Sequence, residues 1–401
     1  MKIGIIKEGK TPPDHRTPVL PEDAKKLMQQ YPDLTIVAQS SEIRCISDSA
    51  YSDCGIEVVD SLEDCDVIIG VKEVPLDMLL PAKTYMFFSH TLKAQPYNHD
   101  LFLNILSKRI RLIDHETLID KKGKRLVGFG RFAGIVGAYN GLLAFGNRTG
   151  KYNLKPAHET TGIAEMAREM EKCQLGESKI LITGGGKVAL GAQETLKAAN
   201  IRQVSVDSFL NEKFEEPVFA RSDKQDYYEF DGHTSFDQRH FYTNSAKYKS
   251  TFDRFLSHTD ILIPGHYWDN ESADFFALND LTNSEFRIKV IADITCDISG
   301  SIPTTIRPST IADPIYGVDK ETGKENNPYS DDSITVMAVD NLPCEIPMDA
   351  SIGFSEVLCS QVIPSFVNGD QDGILATGAM TTNDGKLTER FGYLQSYVDG
   401  K

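Results

Sequence analysis

The stretch that most constrains the fold is residues 179–207, KILITGGGKVALGAQETLKAANIRQVSVD. It opens with a short apolar run, continues through a glycine cluster at 184–186, and then shows a helical pattern as far as Ala199. A second short apolar run ends on Asp207. This order of strand, glycine turn, helix and strand predicts one βαβ unit.

A glycine turn before a helix is suited to hold a diphosphate. Glycines let the backbone turn tightly, and the helix N-terminus offers unpaired N–H groups with a partial positive charge. Gly184 and Gly186 take the first two positions of the dinucleotide fingerprint, and Ala189 takes the third, where the helix packs on the strand. We therefore favour a dinucleotide site over a glycine turn without a ligand. The predicted cofactor-binding residues of this turn are Gly184, Gly185, Gly186, Lys187 and Val188.

An acid at the end of the second strand of such a unit can bind the ribose hydroxyls of the nucleotide. Asp207 stands at that place in the sequence, roughly 20 residues after the turn. Because a carboxylate would repel a 2′-phosphate, Asp207 favours NAD as the cofactor.

Length and composition indicate a globular protein with two domains of ordinary size. The chain has 401 residues, of which 40% are apolar and 25% are charged. No apolar run approaches the ~18 residues of a membrane span, and the N-terminal MKIGIIKEG predicts a strand rather than a signal peptide. We expect a cytoplasmic protein that binds no membrane and is a monomer or a small homo-oligomer.

The net charge and the cysteines limit the kinds of ligand that the protein is expected to bind. A formal net charge of −16 argues against nucleic acid as a partner, whereas the basic residues between 108 and 131 allow an anionic small molecule. The seven cysteines include no CxxC and no Cys/His pair at zinc-ligand spacing, so no metal site is predicted. Free thiols are expected, with a Cys45–Cys54 or Cys54–Cys65 disulfide left open.

The first part of the chain alternates strand and helix patterns, which predicts an α/β domain with a largely parallel sheet. Polar residues follow the ends of these strands at distant sequence positions: Arg16, Lys72, His90, Lys93 and Glu116. Each alone is explained as a solvated surface group. Because carboxyl ends of parallel strands meet at one edge, however, we predict that they converge on a ligand site.

The middle of the chain completes the cofactor domain. Residues 129–145 are rich in glycine and apolar, and we predict a buried linker helix whose glycines allow close packing between two domains. Residues 211–250 are polar and aromatic without a clear period, which predicts an irregular insertion. Strands are predicted at 260–264 and 289–293, and Asp293 and Asp297 at or past the second one face the crevice of the glycine turn.

The predicted fold class is α/β, with two Rossmann-like domains whose parallel sheets face each other across an active-site cleft. Residues 1–130, completed by 320–401, form the substrate and catalytic domain. Residues 131–319 form the NAD-binding domain.

Several separated motifs resemble one superfamily. KEGKTPPDHRTPVLPEDAKKL, and VIIGVKEV paired with MFFSHTLKAQ, are similar to the alanine dehydrogenase / pyridine nucleotide transhydrogenase superfamily. NLPCEIPMDAS followed by FSEVL, and GKRLVGFGRFAGIVGA, resemble one branch of it, the NAD-dependent, lysine-forming saccharopine dehydrogenases. The chain departs from that branch in its glycine turn, in the 211–250 insertion and in DILIPGHYW.

The resemblance implies two catalytic residues. Lys72 would handle the proton of the substrate amine, and His90 the water and carbinolamine steps. A lysine acts as a base near neutral pH only if burial or nearby cations lower its pKa, and Lys93 and Arg16 are the neighbours that we expect to do so.

The substrate site is predicted from charge and from the resemblance together. Arg16 is the first candidate to clamp a substrate carboxylate through a bidentate pair, followed by Arg125 and Lys93. The resemblance adds Gln95, places Glu116 and Asp120 at a lysine ε-ammonium, and assigns Asp297 to orient the imine or its water. The predicted substrate-binding residues are Arg16, Lys93, Gln95, Glu116, Asp120, Arg125 and Asp297.

The resemblance therefore implies an NAD-dependent oxidoreductase of lysine biosynthesis that converts saccharopine, NAD+ and water to L-lysine, 2-oxoglutarate and NADH. Its partners would be small molecules, an amino acid and a 2-oxo acid. The alternatives are alanine dehydrogenase, an opine-type carboxyethyl-amino-acid synthase, or a transhydrogenase-like regulatory protein that binds nucleotide without catalysis. Lys72, His90 and Asp297 occurring together argue against the last.

Overall fold

The computed structural model describes residues 1–230, 236–298 and 300–400. These residues form two compact units, Met1–Phe129 with Pro347–Lys401, and Gly130–Ile346. The α/β fold with two Rossmann-like domains is confirmed, and the cleft between facing sheets remains a prediction. Residues 320–346 were assigned to the first domain by their sequence position, and this is wrong, because a strand within them pairs into the second sheet.

The first unit is built on a parallel sheet. Its strands are β1 (Lys2–Ile5), β2 (Thr35–Gln39), β3 (Glu57–Val59), β4 (Val67–Ile69), β5 (Thr84–Phe87) and β6 (Arg111–Asp114). The described strands lie in the order β3-β2-β1-β4-β5-β6, and each neighbouring pair is parallel. The helices between them are α1 (Pro21–Gln30), α2 (Asp48–Asp53) and α3 (His99–Ser107).

The central strands of this sheet are continuous apolar runs because both faces are covered. Ile3 and Ile69 belong to one apolar cluster and Ile68 and Tyr85 to another, as alternation along a strand requires. The strand order reverses direction between β1 and β4. In open α/β sheets, ligands bind outside the carboxyl ends of the strands at such a reversal, so the residues that follow β1 and β4 are positioned for function.

The second unit holds a larger mixed sheet. Its strands are β7 (Lys179–Thr183), β8 (Arg202–Gln203), β9 (Val218–Ser222), β12 (Ile261–Pro264), β13 (Val290–Ala292), β14 (Ile315–Asp319), β15 (Glu325–Asn326) and β16 (Ser333–Met337), with β10 (Tyr228–Phe230) and β11 (Tyr248–Ser250) forming a separate hairpin. The described order is β15-β14-β16-β13-β12-β7-β9-β8, antiparallel only in the pairs made by β14. The helices are α4 (Gly130–Thr149), α5 (Ile163–Met170), α6 (Lys187–Ala198), α7 (Val206–Asn211), α8 (Lys224–Tyr227), α9 (Gln238–Thr243) and α10 (Asp253–Leu256).

The insertion predicted over residues 211–250 contains a regular strand, β9. This strand pairs in parallel with β7 along its whole length, so it is the neighbour of the strand that leads into the glycine turn. The run that ends on Asp207 supplies only the short edge strand β8 and then α7. That helix begins there because the Ser205 hydroxyl accepts a hydrogen bond from the Ser208 N–H and caps it.

The buried glycine-rich helix α4 is confirmed, but its glycines serve contacts inside the second unit rather than between two domains. A Cβ on Gly134 would lie 1.9 Å from the Val188 carbonyl oxygen, and one on Gly191 would lie 2.0 Å from the Arg131 carbonyl oxygen. The backbones of α4 and α6 therefore touch where a larger residue could not fit. This contact fixes the helix that carries the glycine turn.

The chain returns to the first unit through α11 (Pro347–Val357), α12 (Ile363–Val367), α13 (Ile374–Gly378) and α14 (Gln395–Val398). Residues 347–367 are long and apolar enough to cross a membrane by composition alone. Half of that window is buried inside the structure, and Phe354, Leu358 and Val362 belong to the core. Burial of this kind is typical of a core helix.

Candidate active site

Lys72 follows β4 at the strand reversal of the first unit, and a buried carboxylate holds its backbone. Glu8 accepts hydrogen bonds from the N–H groups of Val71 (2.6 Å) and Lys72 (3.0 Å). Burial raises the pKa of Glu8 to about 7, although these two N–H groups partly offset that effect. Glu8 thus fixes the backbone that carries Lys72, and the sequence patterns did not identify this residue.

The Lys72 ammonium is destabilised by its surroundings, as a base at neutral pH requires. Burial lowers its pKa, and the positive charges of Arg16 and Lys10 lower it further, against the opposing charge of Glu73. Arg16 was expected in this role. The second cation is Lys10 rather than the exposed Lys93.

His90 follows β5, the strand next to β4, and is oriented by Glu73. Its φ of +49° lies in the left-handed region, which residues with side chains seldom adopt. The His90 Nδ1 lies 2.6 Å from Glu73 Oε1, and the Lys10 Nζ lies 2.8 Å from Glu73 Oε2. Because the carboxylate accepts the Nδ1 proton, the Nε2 of a neutral His90 is left as the proton-accepting atom.

Glu73 is the residue that ties this group together. Burial alone would raise its pKa, but the hydrogen bond and charge of His90 and the hydrogen bond of Lys10 outweigh burial and lower the pKa to about 2. The carboxylate therefore stays charged at neutral pH. Asn98 also donates to it, at 3.4 Å, and to the Ser89 carbonyl at 2.8 Å.

Arg16 lies at the predicted edge, but its two forked donors already face a carboxylate. Its Nε and one terminal nitrogen lie 2.9 and 2.5 Å from the two oxygens of Asp14, and the guanidinium stacks 4.1 Å above the ring of Phe129. The residue is only 2% exposed. Asp14 occupies those two donors in this structure, and the bidentate pair between Arg16 and a substrate stays a prediction.

Glu116 and Arg125 are partly exposed and form an ion pair with each other. Their side chains are 37% and 46% exposed, and their closest charged atoms are 3.6 Å apart, which is a loose ion pair. The Arg125 guanidinium lies 5.9 Å from the centre of the Phe88 ring, and that ring stacks on His90 at 6.3 Å. Two opposite charges, linked to His90 through the Phe88 ring, can receive an amino acid with both of its ionic groups.

Asp120 and Gln95 take structural positions in this unit. Asp120 Oδ1 accepts the N–H groups of Lys122 and Lys124, so the carboxylate closes its own turn, which argues against the predicted contact with a substrate ammonium. The Gln95 carbonyl accepts the Tyr397 hydroxyl at 2.6 Å. That bond orders the loop after β5 and leaves the half-buried side chain of Gln95 for contacts elsewhere.

The glycine turn of the second unit fits a diphosphate. Gly184 adopts a φ of +107°, which favours glycine, and Gly186 is the residue from which α6 begins. A Cβ on Gly185 would lie 2.2 Å from Asp223 Oδ2, whereas one on Gly186 would meet nothing within 4 Å. The turn thus combines an open backbone at a helix N-terminus with an adjacent carboxylate.

That carboxylate is Asp223, and it replaces Asp207 as the candidate partner of the ribose. Asp223 directly follows β9, the strand next to β7. Asp207 lies exposed on α7, where its side chain accepts a hydrogen bond from Asn211 at 2.9 Å. Sequence spacing selected Asp207 because two short apolar runs follow the glycine helix, whereas the structure places Asp223 next to the turn. The signal that could have found Asp223 is the apolar start of VFARSD.

Asp293 and Asp297 both follow β13, as predicted, but they differ in surroundings. Asp293 is fully buried and accepts the hydroxyls of Thr295 (2.6 Å) and Thr305 (2.5 Å). Burial raises its pKa to about 6, against those hydrogen bonds. Asp297 is exposed and is the better placed of the two to meet a ligand.

Known proteins with related sequences or folds support the two-domain α/β fold. Residues 4–136 match the family described as alanine dehydrogenase/PNT, N-terminal domain. The chain is 30% identical over 398 residues to an alpha-aminoadipic semialdehyde synthase of Arabidopsis thaliana, covering 89% of this chain and 37% of that one. It is 23% identical to a saccharopine dehydrogenase [NAD(+), L-lysine-forming] of Yarrowia lipolytica, and the match covers 90% of this chain and 92% of that one. An L-alanine dehydrogenase structure covers 100% of this chain and 99% of its own, with a TM-score of 0.66 and 16% identity.

The first third of the chain matches the alanine dehydrogenase/PNT N-terminal domain, and the expected resemblance to the saccharopine dehydrogenases is confirmed. The likeness to the L-alanine dehydrogenase structure extends over the whole fold. The chain spans less than half the length of the semialdehyde synthases that it matches, including 47% of the Mus musculus protein.

Proposed function

We propose that this protein is an NAD-dependent dehydrogenase that interconverts saccharopine with L-lysine and 2-oxoglutarate. The observation that carries the proposal is that Glu73, whose charge acts on Lys72, a lysine with a lowered pKa, also orients the imidazole of His90. A saccharopine dehydrogenase that matches over nearly its whole length supports the substrate.

The residues of the first unit perform the proton transfers. When bound, the nicotinamide supplies hydride chemistry to the carbon that carries the nitrogen. Neutral Lys72 takes a proton from the secondary amine of the substrate. His90 accepts a proton from the attacking water at Nε2 and returns it to the departing amine, while Glu73 stabilises the charged imidazole.

The charged residues around this group bind the ends of the substrate. Glu116 receives the ε-ammonium of the lysine portion, and Arg125 and Lys93 receive carboxylates. Glu116 and Arg125 pair with each other at 3.6 Å, and when substrate binds, each replaces this partner with a charged group of the substrate. An enzyme of alanine would need no acid in the position of Glu116.

The cofactor is NAD in this proposal. Gly184–Gly186 and the start of α6 hold the diphosphate, and the Asp223 carboxylate binds the ribose hydroxyls. A negative charge beside Gly185 disfavours a 2′-phosphate.

NADH oxidation in the presence of paired substrates tests the proposal. Lysine plus 2-oxoglutarate should support turnover, and pyruvate plus ammonia should not. The reverse pattern would assign alanine dehydrogenase instead. NADH binding without turnover on any 2-oxo acid would point to the transhydrogenase-like regulator.

A matched pair of variants tests the lysine contact. Glu116→Gln should raise the KM for lysine about tenfold or more, because a charge-assisted contact is lost, with little change in kcat. Glu356→Gln, at an exposed position of α11 in the same unit, is the control and should behave as wild type. Equal KM values for lysine in the two variants would contradict the contact.

A further inference from the structure

A cavity of about 530 Å³ lies at the amino edge of the second sheet. Residues that precede β12 and β13 line it, whereas the glycine turn follows β7 at the carboxyl edge of the same parallel strands. The cavity is therefore separate from the cofactor site. Among the described residues that line it are four basic side chains: Arg148, Arg287, Lys289 and Lys320.

A buried carboxylate orients two of these cations. Asp260, 2% exposed, lies 3.0 and 2.9 Å from two nitrogens of Arg287 and 3.4 Å from the Lys289 Nζ. Arg287 thus uses two of its five N–H donors, and both basic side chains remain about half exposed, at 47% and 49%. Because Arg287 and Lys289 share one carboxylate, the group keeps a net positive charge. The hydrogen bonds to Asp260 hold both side chains in position.

The other two cations, Arg148 and Lys320, donate their hydrogen bonds to neutral oxygens. The Arg148 guanidinium donates to the carbonyls of Pro328 and Ser330 and to the Thr335 hydroxyl, at 3.0, 3.2 and 2.9 Å. The Lys320 Nζ donates to the Asp331 carbonyl at 2.7 Å. Neutral acceptors fix these side chains without cancelling their charges.

Carboxylates near the cavity do not match the cations. Glu285 and Asp331 line it at exposed positions, so with Asp260 the four cations face three carboxylates among the described residues. This is a local reversal in a chain whose net charge is −16.

We propose that this cavity binds a small polyanion that carries carboxylate or phosphate groups. Its volume lies within the range of small-molecule sites, about 300–1,000 Å³. Ser257 and Ser284 also line it, and their hydroxyls can supply neutral donors. Preoriented basic side chains and hydroxyls are the groups that recognise carboxylate and phosphate.

Calorimetric titration of the full chain with citrate and with pyrophosphate tests the site, with saturating NADH present so that the glycine turn is closed to the probe. We expect one-to-one saturable binding of at least one probe, and the tighter probe identifies carboxylate or phosphate as the preferred group. Heats that do not saturate, or that correspond to no binding, would overturn the proposal.

Two kinds of variant locate the binding. Lys289→Gln with Lys320→Gln should weaken it at least tenfold, whereas Lys197→Gln with Lys213→Gln removes the same charge at exposed positions of the same unit and should leave it unchanged. Ser284→Glu adds a negative charge to the cavity without removing a hydrogen bond of the described structure, and it should also weaken binding. Equal affinity in all variants would refute the site.

Discussion

The two units use the same kind of sheet edge for different purposes. In the first, the carboxyl ends of the strands present ionisable side chains: Lys72, Glu73 and His90. In the second, the equivalent edge presents glycines and the start of a helix. One edge can move protons and the other can hold a diphosphate, so the fold alone does not state which task an edge performs.

The comparison also shows when a perturbed pKa indicates a site. Burial raises the pKa of Glu345 in the second unit to about 7, yet its carboxylate accepts the Asn140 amide at 2.9 Å and is only 3% exposed. Glu73 in the first unit is also buried, but it is bonded to the partly exposed His90. Glu345 also approaches a partly exposed imidazole, with His158 Nδ1 at 3.8 Å. Glu73 therefore differs by its short hydrogen bonds to both His90 and Lys10 rather than by contact with an accessible group.

The largest expected effect separates chemistry from nucleotide binding. Lys72→Met and His90→Gln should each lower kcat by roughly 10²–10⁴, the usual contribution of a general acid or base. Steady-state turnover gives kcat, and fluorescence titration gives the NADH affinity. Because both residues belong to the first unit, NADH affinity should change little. A comparable loss of NADH affinity would mean that the two edges are not divided in this way.

The second prediction concerns the helix contact that supports the glycine turn. Gly134→Ala should destabilise the protein by about 1–3 kcal/mol, because the new Cβ meets backbone atoms of α6 that cannot rotate away. Thermal unfolding measures it. Gly186→Ala, with open space around the added carbon, should change the free energy of unfolding by less than about 0.5 kcal/mol. Equal melting temperatures for both variants would contradict the contact.

A smaller effect distinguishes the two acids of the second unit. Asp223→Asn should weaken NADH binding about tenfold, through loss of a charge-assisted hydrogen bond, and should reduce the preference for NADH over NADPH. Asp207→Asn should leave both affinities as they are, since this carboxylate lies on the exposed helix α7. Titrations of the two variants with both cofactors decide between them, and the opposite result would restore Asp207.

The smallest expected effect is a change in the pH profile. The charge of Glu73 raises the pKa of Lys72, so Glu73→Gln should move the acidic limb of kcat/KM to lower pH. Lys10 lowers the pKa of Lys72, so Lys10→Met should move that limb to higher pH. Shifts of both variants in the same direction would exclude Lys72 as the group that must lose its proton.

Sequence patterns predicted the strands of the first unit and the glycine turn because those features are local. They also predicted that Lys72 and His90 follow neighbouring strands. Three features depended on contacts between distant parts of the chain: the pairing of β9 with β7, the packing of Arg16 against Phe129, and the ring of bonds around Glu73. No local period encodes such contacts, so the sequence did not reveal the surroundings of Arg16 or the carboxylate next to the glycine turn.

The most direct test of the proposed reaction follows the hydrogen that is transferred. Lysine and 2-oxoglutarate are incubated with the protein and with NADH deuterated at the transferable position of the nicotinamide, and the masses of the products are measured by mass spectrometry. We expect saccharopine that carries a single deuterium, formed by the wild type and not by Lys72→Met. Deuterium that appears only in alanine, after pyruvate and ammonia are supplied, would contradict it.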